Sequence, residues 1–354
     1  MKEAAHGATM SGQVVSDGPS SSDGPPNPDV DVSVIIPVHN AAAWLHECLL
    51  SVLGQSGVTV ELVCVNDGSD DDSLRILREY EELEPTRVRV IDQPNGGQAL
   101  ARNAGIDAAR GRYTCLLDSD DYWQLDALST LVRRADEDNL DVVQFDAVAF
   151  RDAGVSDESW RPFANYYARS PARVEVVTGA ELAVSQFSAS EYKPSACLYM
   201  TRTSLLTNND VRFVTGIMHE DNPFTFAVML NAGRAVRVAL DFYARRVRAN
   251  SIMTSASVEK SMRGYFLSYL EMQREAVRHS YDPQTARTLG ALLFRLFNTA
   301  SSRFNKLDNE AISRVKELVV TPDAQVAFAM LIKNRKLSLE SAASRAGTSN
   351  ADNS

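Results

Sequence analysis

Asp118 and Asp120 stand two residues apart in Asp118-Ser119-Asp120-Asp121, directly after the apolar run from Tyr113 to Leu117. Side chains at i and i+2 of an extended chain point to the same side, so both carboxylates can meet one cation. Hard divalent ions such as Mg²⁺ and Mn²⁺ take oxygen ligands, and often only one or two carboxylates plus substrate phosphates. The pair therefore suits an ion that bridges protein to a diphosphate. A solvated acidic loop or a helix cap is the plainer use of such a tetrapeptide. Placement favours the ion, because two further polar clusters follow apolar runs in the same way: Pro37-Val38-His39-Asn40 after Val32 to Ile36, and Asn66-Asp67-Gly68-Ser69-Asp70 after Val60 to Val65.

Three such loops converge only if the runs before them are neighbouring strands. Ala41 to Leu53 has helical spacing at Trp44, Leu45, Cys48, Leu49 and Val52. The same reading predicts a helix from Asp72 to about Tyr80, a strand over Val88 to Ile91, a helix over Gln98 to Ala109 and a strand over Tyr113 to Leu117. Near-continuous apolar strands alternating with helices indicate a mostly parallel sheet covered on both faces. Ligands bind outside the carboxyl ends of such strands, where the three polar loops sit. From about Val142 to Tyr243 short strands, polar loops and a helix after Glu220 suit an acceptor half on the same sheet. From about Val258 the pattern turns helical, with Met262, Phe266, Tyr269 and Leu270 on one face and Leu289, Leu292, Leu293 and Leu296 on another.

The 354 residues, 44% hydrophobic and 23% charged, leave room for one large domain or two smaller ones. A net charge of −10 argues against a nucleic acid polymer as partner, since phosphate backbones are held by clustered Lys and Arg. Cys48, Cys64, Cys115 and Cys197 form no Cys-x-x-Cys pair and read as reduced thiols. The residues through Pro28, rich in Ser, Gly, Pro and Asp and without an apolar core flanked by basic residues, are expected to be a disordered tail and not a secretory signal; a disordered tail is also expected for Ser341 to Ser354. The run Leu289 to Phe297 is too short to span a bilayer and contains Arg295. A soluble cytoplasmic protein is expected, with peripheral contact at the inner face of the cell membrane left open.

The order of motifs resembles glycosyltransferase family 2. The segments that carry the resemblance are Val34-Ile35-Ile36-Pro37-Val38-His39-Asn40, Val65-Asn66-Asp67-Gly68-Ser69-Asp70, Asn95-Gly96-Gly97 leading to Ala101-Arg102-Asn103-Ala104-Gly105, and Leu117-Asp118-Ser119-Asp120-Asp121. A later match, Ile217-Met218-His219-Glu220-Asp221 and then Tyr243 to Thr254, extends it to about residue 254. The resemblance implies an α/β protein of the GT-A (Rossmann-like) fold, a mostly parallel sheet flanked by helices, with a C-terminal helical extension. Its expected divisions are a tail over 1–30, a catalytic domain over 31–254, a helical region over 255–340 and a tail over 341–354. Within the catalytic domain the nucleotide-binding half is 31–141 and the acceptor half 142–254.

The resemblance also implies an inverting, metal-dependent glycosyltransferase that moves a sugar from a UDP-sugar donor to a hydroxyl of a glycan, polymer or lipid-linked acceptor. The product would be a cell-surface polysaccharide, a teichoic-acid-like polymer or a glycolipid. Carried over by motif, Asp67 accepts from the uracil ring, Pro37 and Val38 flank the base, and Asn40 belongs to the same donor loop. Arg102 approaches the nucleotide, Asp118 faces the ribose and Asp120 holds Mn²⁺ or Mg²⁺. Asp221 is the base that takes the acceptor proton, with His219, Glu220 and Trp123 as further candidate substrate contacts. Arg246 and Arg248, in a segment that in the family closes over the donor, are the diphosphate contacts through charge-assisted bonds. Arg245 departs from the aromatic usual there, His39 stands where Tyr is frequent, and Gln98 where Lys or another polar residue is common. Each residue has a plainer use: turn or cap chemistry for Asp67 and Asp221, a helix-surface ion pair for Arg102, a basic surface loop for Arg246 and Arg248, core packing for Trp123 and a structural role for His219.

Two rival functions differ in class. A noncatalytic nucleotide-sugar-binding scaffold would keep the fold without turnover. A nicotinamide-dependent oxidoreductase would need Gly-x-Gly-x-x-Gly where the first strand instead leads into Pro37-Val38-His39-Asn40. The C-terminal helices have three expected uses: packing on the catalytic domain, building a homo-oligomer, or resting on an anionic membrane through Arg287, Arg295, Arg303, Lys333, Arg335 and Lys336.

Overall fold

The computed structural model describes residues 29–170, 175–248 and 257–351. Residues 1–28 of the expected N-terminal tail, and the part of the basic segment from Ala249 onward, lie outside them. The nucleotide half alternates as expected: β1 (Val32–Val38), α1 (Ala42–Leu53), β2 (Val60–Asp67), α2 (Ser73–Leu83), β3 (Val88–Gln93), α3 (Gln98–Ala108) and β4 (Tyr113–Leu116). β1 and β2 are buried at every position, which is why they read as unbroken apolar runs. β3, β2, β1 and β4 pair in parallel, so the loops after them open on one edge.

The second half contains β5 (Tyr122–Trp123), α4 (Ala127–Glu137), β6 (Val142–Arg151), α5 (Asp157–Trp160), α6 (Gly179–Ser188), β7 (Tyr199–Arg202), α7 (Thr203–Asn208), α8 (Asp221–Asn231) and β8 (Ala235–Val247). The eight strands form one sheet in the order β3-β2-β1-β4-β7-β6-β8-β5. β7 runs antiparallel to both β4 and β6, β6 and β8 are parallel, and β5 is antiparallel to β8. The sheet is therefore mixed: four of its pairings are parallel, as expected for a mostly parallel sheet, and the three made by β7 and β5 are antiparallel. β7 follows α6 through a short 3-10 turn, Ala196–Leu198, and lies between β4 and β6.

The C-terminal region is α9 (Val258–Ala276), α10 (Pro283–Phe304), α11 (Asn309–Lys316) and α12 (Pro322–Ala351). Ser257, Asp282 and Asp308 cap the first three by accepting from backbone N–H groups of the first turn. α12 continues past Ser341, where a disordered tail is expected. Met262, Phe266, Phe297, Phe304, Val315 and Leu331 build a core for these helices. A second cluster joins them to the rest of the protein: Phe226 and Leu230 of α8 pack with Met272, Leu289, Leu292 and Leu296. Each such side chain stabilises the docking by about 1.5–3 kcal/mol when fully buried. Packing is thus an observed use of the C-terminal helices, and it is made onto the helix that begins at Asp221. Among the described residues no helix is long and apolar enough to cross a membrane.

Candidate active site

The loops after β1 and β2 are bound to each other. Asn40 adopts a left-handed φ of 51° and accepts at Oδ1 from the Asp70 N–H at 2.8 Å. The Ala41 N–H donates to Ser73 Oγ at 2.9 Å, and His39 Nδ1 lies 2.9 Å from the Asp67 carbonyl oxygen. Pro37 and Val38 are the last β1 residues before this junction.

Asp67, 3% exposed at the end of β2, closes the next loop. Its Oδ1 accepts from Gly96 N–H and Gln93 Nε2, and its Oδ2 from Gly97 N–H, all at 2.8 Å. Gly97 has φ 88°, a conformation open to glycine and strained for other residues, and it opens α3. Asp67 therefore ties the start of α3 to the sheet edge. The next residue, Gln98, donates from Nε2 to Asp118 Oδ1 at 2.9 Å.

One turn further along α3, Arg102 reaches two carboxylates at once. Nη2 donates to Asp118 Oδ1 and Nη1 to Asp221 Oδ1, each at 2.9 Å, and Glu220 Oε1 lies 3.5 Å from Nη1. The residue is 2% exposed, and its guanidinium lies 5.0 Å from the centre of the Phe213 ring, which stacks on Phe224 of α8. Removing one member of a buried charged cluster costs about 3–5 kcal/mol, because the remaining charges lose compensation. α3 thus touches Asp67, Asp118 and Asp221, with Asp120 in the same loop as Asp118.

Asp121 anchors that acidic loop. It is 2% exposed, accepts from Tyr243 Oη at 2.6 Å and from the Arg246 N–H at 2.7 Å, and the Asp118 N–H donates to the same Tyr243 oxygen at 3.3 Å. Burial pushes the Asp121 carboxyl well up, and the charges of Asp120 and Asp118 push it further. Among the described residues no three His, Cys, Asp or Glu side chains make a closed metal cage. Asp118 and Asp120 are hard oxygen donors of the type that Mn²⁺ or Mg²⁺ takes together with phosphate oxygens and water. Arg248 donates from Nε to Asp120 Oδ2 at 2.6 Å, with its guanidinium 4.6 Å from the Trp44 ring centre.

Asp221 opens α8. Its side chain keeps 31% exposure, yet the packing around it is dense enough for desolvation to dominate. Its carboxyl is raised to about 7; Arg102 pulls it down, while Glu220 and Asp118 push it up. The preceding His219 sits at φ 65°, a strained conformation for a residue with a Cβ. Its carbonyl is held by the Asn222 N–H at 3.0 Å, Asn222 Nδ2 at 3.1 Å and Ser268 Oγ at 3.3 Å. Its ring stacks on Tyr265 of α9 at 4.0 Å, and burial lowers it to about 4, with the Arg303 charge assisting. α9 can come this close because of Gly264: a Cβ there would meet the Met218 carbonyl oxygen at 2.3 Å.

The remaining candidates divide. Arg246 is committed to protein: it donates from Nε to the Asp120 carbonyl oxygen at 2.9 Å, pairs with Glu47 and Asp152, and lies 4.6 Å from the Phe150 ring centre. Trp123 is 2% exposed and packs on Phe145 and Tyr243, within the core. Sequence reading passed over Asp121 as an anchor, Tyr243 as its partner and the α9–α10 residues behind His219. The doubled Asp120-Asp121 was the available signal for the first; no local pattern marks the others.

The family described as Glycosyl transferase family 2 matches residues 33–181. The glycosyltransferase YibD of Escherichia coli (strain K12), itself uncharacterized, is 34% identical over 205 residues, 58% of each chain, so this chain spans less than two thirds of that relative. The glycosyltransferase GlyG of Streptococcus pneumoniae serotype 4 is 31% identical over 225 residues, 63% of this chain and 72% of GlyG. Among solved structures, TarS 1–349 of S. aureus in complex with UDP is similar with a TM-score of 0.64, over 89% of this chain and 92% of that one, at 23% identity, a likeness of fold. The motif order, the mixed sheet with its shared loop edge and these similarities lead to one assignment: the chain belongs to glycosyl transferase family 2 and has the GT-A fold.

Proposed function

We propose that this chain transfers a sugar, with inversion, from a UDP-sugar to an acceptor hydroxyl in the synthesis of a cell-surface polysaccharide, teichoic-acid-like polymer or glycolipid. The observation that carries the reading is the sharing of Arg102 between Asp118 on the donor side and Asp221 on the acceptor side, at 2.9 Å each. Inverting displacement at an anomeric carbon needs a base on one face and charge stabilisation of the departing diphosphate on the other. Asp221, raised to about 7, takes the acceptor proton when ionised. Arg102 orients that carboxylate and favours its ionised form. Asp120 and Asp118 would hold Mn²⁺ or Mg²⁺, which supplies compensation for the diphosphate charge. Asp67 organises the Gly96–Gly97 turn against which a uracil would seat, and Arg248 supplies a cation for the diphosphate. The likeness to TarS bound to UDP supports the uridine donor.

Incubation of the purified chain and Mn²⁺ with a panel of UDP-sugars and cell-envelope extract tests this reading. Metal-dependent UDP binding and a glycosylated product detected by mass spectrometry are expected. Absence of UDP binding together with absence of donor turnover overturns it.

A further inference from the structure

Side chains of the C-terminal helices surround His219, the residue two positions before Asp221. On α9, Ser261, Tyr265 and Ser268 follow one another at helical spacing and so share one face. Ser261 Oγ lies 3.0 Å from His219 Nε2, the Tyr265 ring stacks on the imidazole at 4.0 Å, and Ser268 Oγ donates to the His219 carbonyl oxygen at 3.3 Å. From α10, Arg303 donates from Nε to Ser261 Oγ at 2.9 Å, with its guanidinium 4.7 Å from the Tyr265 ring centre. Its other polar contact is the Thr299 carbonyl oxygen at 3.4 Å. Among the described residues Arg303 has no ion pair with a carboxylate, in a chain whose net charge is −10. The guanidinium is spent on a hydroxyl and a ring.

What each group can give sets the direction of these bonds. A guanidinium N–H only donates, so Arg303 occupies a lone pair of the Ser261 hydroxyl. That hydroxyl carries a single proton, and His219 Nε2 is its remaining partner among the described residues. With Nε2 as acceptor every group is satisfied. With a proton on Nε2 the hydroxyl would receive two donors, and its own proton would have no acceptor. The guanidinium also polarises the hydroxyl and makes it the better donor. The imidazole is therefore neutral, with its proton on Nδ1. Burial, assisted by the Arg303 charge, lowers the ring to about 4 and agrees with that state.

The backbone at His219 gives this relay a task. With φ 65° a residue that carries a Cβ lies in the sparsely populated left-handed region, and it stays there only where its surroundings over-determine it. The Asn222 N–H, Asn222 Nδ2 and Ser268 Oγ hold its carbonyl, and Ser261 and Tyr265 hold its ring. The turn so fixed leads through Glu220 into Asp221, the first residue of α8, whose Oδ1 accepts from Arg102 Nη1 at 2.9 Å. We propose that Ser261 and Arg303 are positioning residues for Asp221: they lock His219 as its Nδ1–H tautomer and so set the 218–221 turn that carries the base. The part played by Asp221 rests on the proposed function, whereas the lock on His219 stands apart from it. The C-terminal helices thereby complete the site as well as pack on the domain. A displacement of about 1 Å at a reacting group can cost on the order of a hundredfold in rate, so a turn under strain gains from a fixed ring.

The test uses the full chain with Ser261→Ala and Arg303→Met, the second of which keeps an apolar stem over Tyr265. In ¹⁵N NMR spectra at neutral pH, with the His219 resonances assigned by their absence in His219→Gln, the wild type should show a pyridine-type Nε2 and a pyrrole-type Nδ1. Both variants should lose that pattern and show averaged tautomers. With a UDP-sugar and cell-envelope extract, kcat should fall at least about tenfold in Ser261→Ala and in the same direction in Arg303→Met, while UDP affinity with Mn²⁺ stays the same. A proton on Nε2 or an imidazolium in the wild type overturns the proposal. Variants that keep the wild-type tautomer or the wild-type kcat overturn it too, as does a loss of UDP affinity equal to the loss of kcat, which marks a general loosening of the fold. Should Ser261→Ala fail to fold, Arg303→Met and the wild-type tautomer decide the matter. A wild type that turns over no donor removes the base and with it the positioning role; its tautomer and its UDP binding then show separately whether the lock and the nucleotide reading survive.

Discussion

Arg102 donates from Nη1 to Oδ1 of Asp221 at 2.9 Å, joining a residue of the third helix to the first residue of the eighth. The bond opposes the desolvation that raises Asp221 to about 7. A base must be deprotonated to act, so transfer is expected to be lost as pH falls through about 7 and to be level above it. Arg102→Met removes the lowering influence and should move that acid limb to higher pH. Initial rates across roughly pH 5.5 to 9 check both; an unmoved limb would separate Arg102 from the ionisation of Asp221.

Asp221→Asn and Asp120→Asn should fail differently. The first keeps metal-dependent UDP binding and lowers transfer by at least about a hundredfold, the low end of a general base's contribution. The second loses metal-dependent UDP binding. Calorimetry with UDP, with and without Mn²⁺, distinguishes them, and the reverse pattern would exchange the two roles.

The Arg248 Nε to Asp120 bond, at 2.6 Å, puts a side-chain cation on the carboxylate proposed to hold the metal. Arg248→Ala should strengthen Mn²⁺ binding without nucleotide by several-fold and weaken UDP binding with Mn²⁺ present. Titration of Mn²⁺ against the free chain reads the first effect without reference to activity.

Tyr243 Oη bonds to Asp121 at 2.6 Å inside the protein, with its ring against Trp123. Tyr243→Phe preserves the ring and leaves a buried carboxylate oxygen without that donor. A loss of about 1–3 kcal/mol in urea unfolding is expected, with weaker metal binding because the acidic loop loosens.

Gly264→Ala drives a methyl group toward the Met218 carbonyl oxygen, 2.3 Å from an ideal Cβ. The 218–221 turn must shift, so turnover should fall while UDP affinity stays near the wild-type value. Loss of both in equal measure would show that α9 does more than support this turn.

Sequence alone determined the elements of the nucleotide half and the polar loops at the strand ends, because buried strands and amphipathic helices leave their periods in the chain. The Asp118-Ser119-Asp120-Asp121 cluster and the motif order made the family legible for the same reason: they are local. Only the tertiary structure decided which side chains meet. Arg102 and Asp221 are 119 positions apart, and Tyr243 and Asp121 are 122 apart. Their meeting depends on an antiparallel β7 inserted beside β4 and on helices docked against α8, and no local period encodes a partner that distant. The stationing of Arg246 on protein groups, the burial of Trp123 and the support of His219 by α9 all follow from that packing, where the energy of a contact depends on neighbours the chain brings in from elsewhere.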